Sequence, residues 1–129
     1  MFYIDTSAAM KLVVDEPESP ALSRWVQTRL EYMIASDLLR TELVRATRRA
    51  VPTRLVRTRS VLESIDIMRL STAVYERAGQ IEPSPLRSLD ALHLAAAMEL
   101  GDELDGIVTY DERLVEAARA NGIATVSPR

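Results

Sequence analysis

Four acidic residues stand where predicted elements begin or end, and they are the side chains of this sequence best placed to do chemistry. Asp5 follows the apolar run 1–4, and Asp111 follows the apolar run 106–110; both runs predict short β-strands. Asp90 opens a helix that is apolar almost all round, where an unpaired charge would be costly. Glu42 lies in a further predicted helix. Since the carboxyl ends of parallel strands share one edge of a sheet, we expect Asp5 and Asp111 to lie together there.

A cluster of carboxylates indicates a metal-dependent reaction. Two carboxylates about 5 Å apart repel by roughly 3 kcal/mol at an effective dielectric constant near 20, and a divalent cation removes that repulsion. The sequence has no cysteine and one histidine, so an all-oxygen site for Mg²⁺ or Mn²⁺ is favoured over a zinc site. Such sites activate water for attack on phosphodiesters. Hydrolysis of a nucleic acid is therefore the leading hypothesis.

Each acidic residue also has a purely structural interpretation. Asp5 and Asp111 precede helices, where aspartate commonly caps the free N–H groups. Asp90 lies in a first turn, where the helix dipole favours negative charge. Glu42 precedes Arg45 by three residues, the spacing of a surface ion pair. All four acids together, at a predicted common edge, favour the site over these separate roles.

Four neighbouring residues could support the acids. His93 follows Asp90 by one helical turn. It could serve as a ligand or base, but we interpret it as a packed, hydrogen-bonded histidine that could orient a carboxylate. Thr6, Ser7 and Thr109 could hydrogen-bond the carboxylates or metal-bound water, or act as caps, and Ser7 is the expected cap of the first helix.

The order of the elements predicts an α/β fold with a parallel sheet and right-handed crossovers. Apolar runs at 1–4, 32–35, 65–68, 106–110 and 123–126 predict five strands. Apolar spacing and capping residues predict seven helices between them. Six of these helices cover 8–14, 38–51, 52–63, 72–78, 90–100 and 112–121. The seventh follows Pro17 and has Leu22, Trp25, Val26 and Leu30 on its apolar face. The longest predicted loop is 79–88. No repeat or linker interrupts the pattern, so we expect a single domain over 1–129.

Composition excludes several classes of protein. With 47% hydrophobic and 27% charged residues in 129, the chain is expected to form one globular domain. The absence of cysteine excludes disulfides and a cysteine nucleophile. No apolar run approaches the roughly 20 residues that span a bilayer, and no export signal is evident. We therefore expect a cytosolic protein without a membrane partner.

The basic charge is concentrated in one segment although the net charge is −3. Residues 40–59 contain seven arginines and one acid, a net of 7 − 1 = +6, whereas the rest of the chain holds nine basic and eighteen acidic residues, a net of −9. The planar guanidinium binds phosphate oxygens in a bidentate manner. Binding of nucleic-acid phosphates and a solvated helix face are equally weighted interpretations of this segment. The candidate contact residues are Arg40, Arg45, Arg48 and Arg49 within it and Arg87 outside it.

The motifs around the four acids resemble the PIN-domain ribonucleases, and among them the VapC-type toxins of toxin–antitoxin pairs. The matching stretches are 2–8 (FYIDTSA), 36–43 (SDLLRTEL), 86–97 (LRSLDALHLAAA) and 108–114 (VTYDERL), and the resemblance runs through the whole chain. It implies a five-stranded parallel sheet of order 3-2-1-4-5 with helices on both faces. It also implies Mg²⁺- or Mn²⁺-dependent endoribonuclease activity through Asp5, Glu42, Asp90 and Asp111, inhibition of translation, a homodimer and a VapB-like antitoxin.

Two other classes of function compete with this interpretation. A receiver-like phosphoacceptor domain has a similar length and an acidic Mg²⁺ site, but it needs an acidic pair after the first strand and a lysine after the last one. This chain has only Asp5 there, and its single lysine is Lys11. A non-catalytic binding module of the same fold would have no need for four mutually repelling carboxylates.

Overall fold

The computed structural model describes residues 1–129, and at its centre is a sheet of five parallel strands. The strands are β1 (Phe2–Ile4), β2 (Met33–Ser36), β3 (Asp66–Met68), β4 (Gly106–Val108) and β5 (Thr125–Val126). They are arranged in the order β3-β2-β1-β4-β5, which confirms the predicted fold. A receiver-like domain has the order 2-1-3-4-5, so the strand order excludes that alternative.

Seven α-helices connect the strands, as the sequence predicts. They are α1 (Thr6–Val13), α2 (Ser19–Gln27), α3 (Leu38–Ala50), α4 (Leu55–Ser64), α5 (Thr72–Gln80), α6 (Ser88–Met98) and α7 (Glu112–Ala120). Three single 3-10 turns occur at Leu30–Tyr32, Pro52–Arg54 and Gly101–Glu103. No helix is long and apolar enough to cross a membrane.

Several predicted boundaries were wrong for local reasons. Helix α1 begins at Thr6, and its N-cap is Asp5, whose carboxylate accepts a hydrogen bond from Ala8 N. This confirms the cap role weighed for Asp5, whereas Ser7, the other candidate cap, lies inside the first turn. Leu30 belongs to a 3-10 turn instead of α2. Helix α6 ends at Met98, and the chain then turns through Gly101, whose φ of 56° suits a residue without a Cβ.

Consecutive parts of the chain build the two faces of the sheet. Helices α1 to α4, from the first half of the chain, cover one face over a core of 13 buried residues. Helices α5 to α7, from the second half, cover the other face over a core of 10. Strand β1 is shared, because its alternating side chains send Ile4 into the first core and Tyr3 into the second. Each layer therefore packs against the same central strand.

Candidate active site

The carboxyl edge of the sheet gathers the four predicted acids from four different elements. Asp5 follows β1 and Asp111 lies just beyond β4, which is the direct neighbour of β1. Glu42 lies in α3, which follows β2 on the other side of β1. Asp90 lies in the first turn of α6. Together these four side chains are referred to as the acidic site.

Asp5 is the buried member of the acidic site, with 4% of its surface exposed. Its Oδ1 accepts hydrogen bonds from Ala8 N at 3.0 Å and Ser7 Oγ at 2.7 Å, and its Oδ2 accepts one from Thr109 Oγ1 at 2.6 Å. Burial raises the pKa of Asp5, although these hydrogen bonds oppose the rise. Three donors on a carboxylate with about four lone-pair sites leave room for one further ligand.

Ser7 and Thr109 connect Asp5 to the end of β4. Thr109 Oγ1 donates to Asp5 and accepts from Asp111 N at 3.1 Å. Ser7 Oγ donates to Asp5 and accepts from Tyr110 N at 2.9 Å. The two hydroxyls therefore satisfy backbone N–H groups of the β4–α7 turn while they orient the Asp5 carboxylate.

Glu42 is fixed by Thr6 and His93. Thr6 Oγ1 donates to its Oε1 at 3.0 Å, and His93 Nε2 lies 2.6 Å from the same oxygen. Partial burial alone would raise the pKa of Glu42, but the hydrogen bond and charge of His93, followed by the Thr6 hydrogen bond, lower it. Glu42 thus pairs with His93 and forms no ion pair with Arg45. Both protein contacts reach Oε1, which leaves Oε2 free.

Two buried residues that sequence reasoning missed fix the position of His93 from the core side. The Tyr3 hydroxyl lies 2.7 Å from His93 Nδ1 and 3.0 Å from Ser36 Oγ. All three side chains are buried. The only available signal was polarity: a tyrosine inside β1 and a serine at the end of β2, each in an otherwise apolar strand.

Asp90 and Asp111 are the more accessible acids. Partial burial and then the negative charges of Asp111 and Asp5 raise the pKa of Asp90, against the opposing influence of His93 and Arg87. Asp111 caps α7, because its Oδ1 accepts from Arg113 N at 2.9 Å and from Leu114 N at 3.4 Å. Its Oδ2 has no such contact. The cap role predicted as an alternative for Asp111 therefore coexists with a free carboxylate oxygen.

The donor chemistry of the acidic site suits a hard divalent cation. The free oxygens belong to carboxylates, no sulfur ligand exists in the chain, and the single histidine is occupied by Tyr3 and Glu42. Oxygen-only sites are typical of Mg²⁺ and Mn²⁺. As they stand, no three acidic or histidine side chains are grouped closely enough to hold a metal ion.

Arginines flank the acidic site on α3. A groove of about 400 Å³ runs from Thr6 and Glu42 along α3 to Arg45 and Arg49. Leu89 of α6, which is 49% exposed, also lines it. We call this the α3 groove. Arg48 lies beside Arg45 and Arg49 and extends the basic surface beyond the groove, whereas Arg40 and Arg87 are exposed outside it.

Comparison with known proteins gives a consistent result. The PIN domain family matches residues 2–120. The chain is 42% identical to ribonuclease VapC47 of Mycobacterium tuberculosis, over 99% of this chain and 97% of that protein. It is 40% identical to ribonuclease VapC46 of the same species, over 98% and 96%.

A solved structure agrees with the fold at much lower sequence identity. This structure is the crystal structure of M. tuberculosis VapC20, a toxin described as cleaving the sarcin–ricin loop. The two chains superpose with a TM-score of 0.79 at 15% identity, over 99% of this chain and 100% of the VapC20 chain. That likeness concerns the fold, and the sequence matches establish the relationship. The chain belongs to the PIN-domain family, among its VapC-type members.

Proposed function

We propose that this protein is a divalent-metal-dependent endoribonuclease and the toxin of a VapBC-like toxin–antitoxin pair. The observation that carries the proposal is the placement of four carboxylates along one sheet edge, in a chain at least 40% identical to proteins named ribonuclease VapC. By the same relationship, RNA cleavage would inhibit translation and growth. A VapB-like antitoxin would restrain the activity, and the toxin would act in the cytoplasm as a homodimer.

Asp5, Glu42, Asp90 and Asp111 would hold Mg²⁺ or Mn²⁺. When bound, the metal would lower the pKa of a coordinated water and stabilise charge on the phosphate. Asp5 is suited to be the central ligand, since Ser7 and Thr109 already orient its carboxylate. Burial and the charges of Asp111 and Asp5 raise the pKa of Asp90, and a bound cation would oppose that rise and keep the carboxylate ionised.

The α3 groove would carry the RNA strand towards the acidic site. The acids repel phosphate, so a flanking positive surface is needed to bind the substrate. Arg45 and Arg49 line the groove that Glu42 and Thr6 also line, and this proximity supports a role for their guanidinium groups in binding phosphates next to the proposed cleavage centre. Arg40, Arg48 and Arg87 would extend the contact to RNA or to the antitoxin.

The decisive experiment is RNA cleavage by the purified protein with and without Mn²⁺ or Mg²⁺. We expect cleavage only with metal and no cleavage by Asp90→Asn. Asp102→Asn is the matched control, since Asp102 is exposed in the turn that precedes β4, away from the carboxyl edge. Cleavage by Asp90→Asn, or cleavage in a chelator, would refute the mechanism. No cleavage by the parent protein with either metal would favour a non-catalytic binding module.

The RNA path is tested with the double variant Arg45→Ala/Arg49→Ala. Each lost phosphate contact should make the slope of log K against log salt shallower by about 0.7, hence by about 1.4 for both. Arg119→Ala is the control, because Arg119 is exposed in the last turn of α7. An unchanged salt slope in the double variant would exclude the α3 groove as the RNA path.

A further inference from the structure

A line of hydrogen bonds runs from Glu42 into the protein core. It passes from Glu42 Oε1 to His93 Nε2 (2.6 Å), from His93 Nδ1 to the Tyr3 hydroxyl (2.7 Å), and from that hydroxyl to Ser36 Oγ (3.0 Å). Tyr3 and Ser36 are fully buried and His93 is 2% exposed. No buried polar side-chain atom lacks a partner. Each buried polar group in this line therefore finds its hydrogen-bond partner within the line.

The proton positions along the line follow from the acceptors available. If the Tyr3 hydroxyl donates to His93 Nδ1, the imidazole is neutral and its only proton is on Nε2, facing Glu42. If the Tyr3 hydroxyl donates to Ser36 instead, Nδ1 must carry a proton, and Nε2 must still carry one because it faces a carboxylate. Both arrangements place an N–H on the Glu42 side.

The Tyr3 hydroxyl is not required to fill space. A phenylalanine would pack the same core position, and a buried hydroxyl costs free energy unless it is hydrogen-bonded. The Tyr3 ring also meets the His93 ring edge-on, with centroids 5.8 Å apart and planes at 68°. The imidazole is therefore contacted by the Tyr3 ring on its face or edge, by the Tyr3 hydroxyl at Nδ1 and by Glu42 at Nε2.

We propose that Tyr3 is a positioning residue for Glu42: its hydroxyl on His93 Nδ1 holds the imidazole so that Nε2–H stays on Glu42 Oε1 and Oε2 stays free for metal. The inference rests on the proposed function, because it takes Glu42 as a metal-holding residue. Tyr3 touches neither metal nor RNA in this scheme. It acts from the core layer of α5 to α7 on an acid carried by the opposite layer.

The test compares Tyr3→Phe with Ser36→Ala by nitrogen-15 NMR and Mn²⁺ binding. His93 is the only histidine, so its two ring nitrogens give unambiguous signals. In the parent chain we expect a protonated Nε2 that exchanges slowly with solvent. Tyr3→Phe should shift the Nδ1 resonance, speed the exchange of the Nε2 proton and weaken Mn²⁺ binding roughly tenfold. With RNA as substrate, kcat should fall while KM is unchanged.

Ser36→Ala is the matched control, because it also removes one buried hydrogen bond but leaves the Tyr3–His93 contact. We expect its His93 signals to stay close to the parent ones and its Mn²⁺ affinity to change less than about twofold. Equal effects in both variants would indicate general loosening and overturn the proposal, as would parent-like Mn²⁺ binding by Tyr3→Phe.

Two further outcomes keep the inference separable from the proposed function. An unprotonated Nε2 in the parent chain would refute the inference without any variant. If the NMR and Mn²⁺ results are as expected but no RNA is cleaved under any condition, Tyr3 still positions Glu42 and the proposed ribonuclease function fails.

Discussion

Replacement of Asp5 by asparagine and by alanine should separate its structural role from its catalytic one. The carboxylate accepts hydrogen bonds from Ala8 N, Ser7 and Thr109. Asparagine keeps one oxygen, which can accept from Ala8 N and Ser7, and it is as good an N-cap as aspartate. Alanine removes all three acceptor contacts.

The expected sizes follow from these contacts. Loss of the cap in Asp5→Ala costs about 1 kcal/mol, and each hydroxyl left without its acceptor costs about 1 kcal/mol more. Ser7 Oγ and Thr109 Oγ1 are 3.3 Å apart and can bond to each other, which recovers part of this. We expect about 2 kcal/mol of destabilisation, or roughly 7 °C in Tm for a domain of this size.

Asp5→Asn should be nearly neutral for stability. Its amide nitrogen faces the Thr109 hydroxyl, which must turn to accept, and this loses one charge-assisted bond. The substitution also removes a buried charge whose burial raises the pKa of Asp5. The two effects are opposed, so the net change should stay below about 1 kcal/mol.

Urea unfolding in a chelator and RNA cleavage in Mn²⁺ measure the two roles independently. We expect both variants to be inactive and only Asp5→Ala to be clearly destabilised. Equal destabilisation would show that the ionised carboxylate, and not its acceptor geometry, holds the β1–α1 turn. Cleavage by Asp5→Asn would remove Asp5 from the metal site.

Four other outcomes are expected. Because the pKa of Asp90 is raised in the folded protein, ionisation of Asp90 opposes folding. In a chelator, the stability of the parent chain should therefore decrease as pH rises from about 4 through that pKa. Asp90→Asn should flatten this part of a Tm–pH profile. Mn²⁺ at about 100 times its Kd should stabilise the parent chain by about 2.7 kcal/mol in thermal unfolding, and Asp90→Asn much less. Thr47→Val removes a buried hydroxyl bonded to Leu43 O and Thr58 Oγ1 and should cost about 1 kcal/mol in urea unfolding. Gly122→Ala, at a φ of 72°, should cost about 1 kcal/mol by the same measurement, although a Cβ there has open space.

Sequence patterns predicted the elements well because most of them have an unambiguous apolar spacing. The run before Asp5 and the run before Asp111 are short and contain aromatic and β-branched residues, which favours buried strands over helices. The order of the strands came from resemblance to a family, since periodicity does not determine which strands pair. The boundaries that failed, at Ser7 and Leu30, depend on which side chain reaches a particular N–H or carbonyl.

The site was predictable in its acids and not in its partners. Asp5 and Asp111 could be placed at a common edge because strand ends determine their position. Glu42 pairs with His93 instead of with Arg45 because α3 and α6, which cover opposite faces of the sheet, come together at its carboxyl edge. The roles of Tyr3 and Ser36 were missed because a buried tyrosine is common in a strand and a serine at a strand end is also a common helix cap, so their polarity did not indicate a partner.

The division of the two helical layers between the two halves of the chain has a consequence for synthesis on the ribosome. The first half contributes Asp5 and Glu42, and the second contributes Asp90 and Asp111. Strand β1 remains unpaired on one side until β4 has been made. A nascent or prematurely terminated chain that stops before β4 lacks a central strand and at least one acid. If the protein is the ribonuclease proposed above, the RNA and the ribosome that produce it are exposed to a complete cleavage centre only when almost the whole chain has been translated.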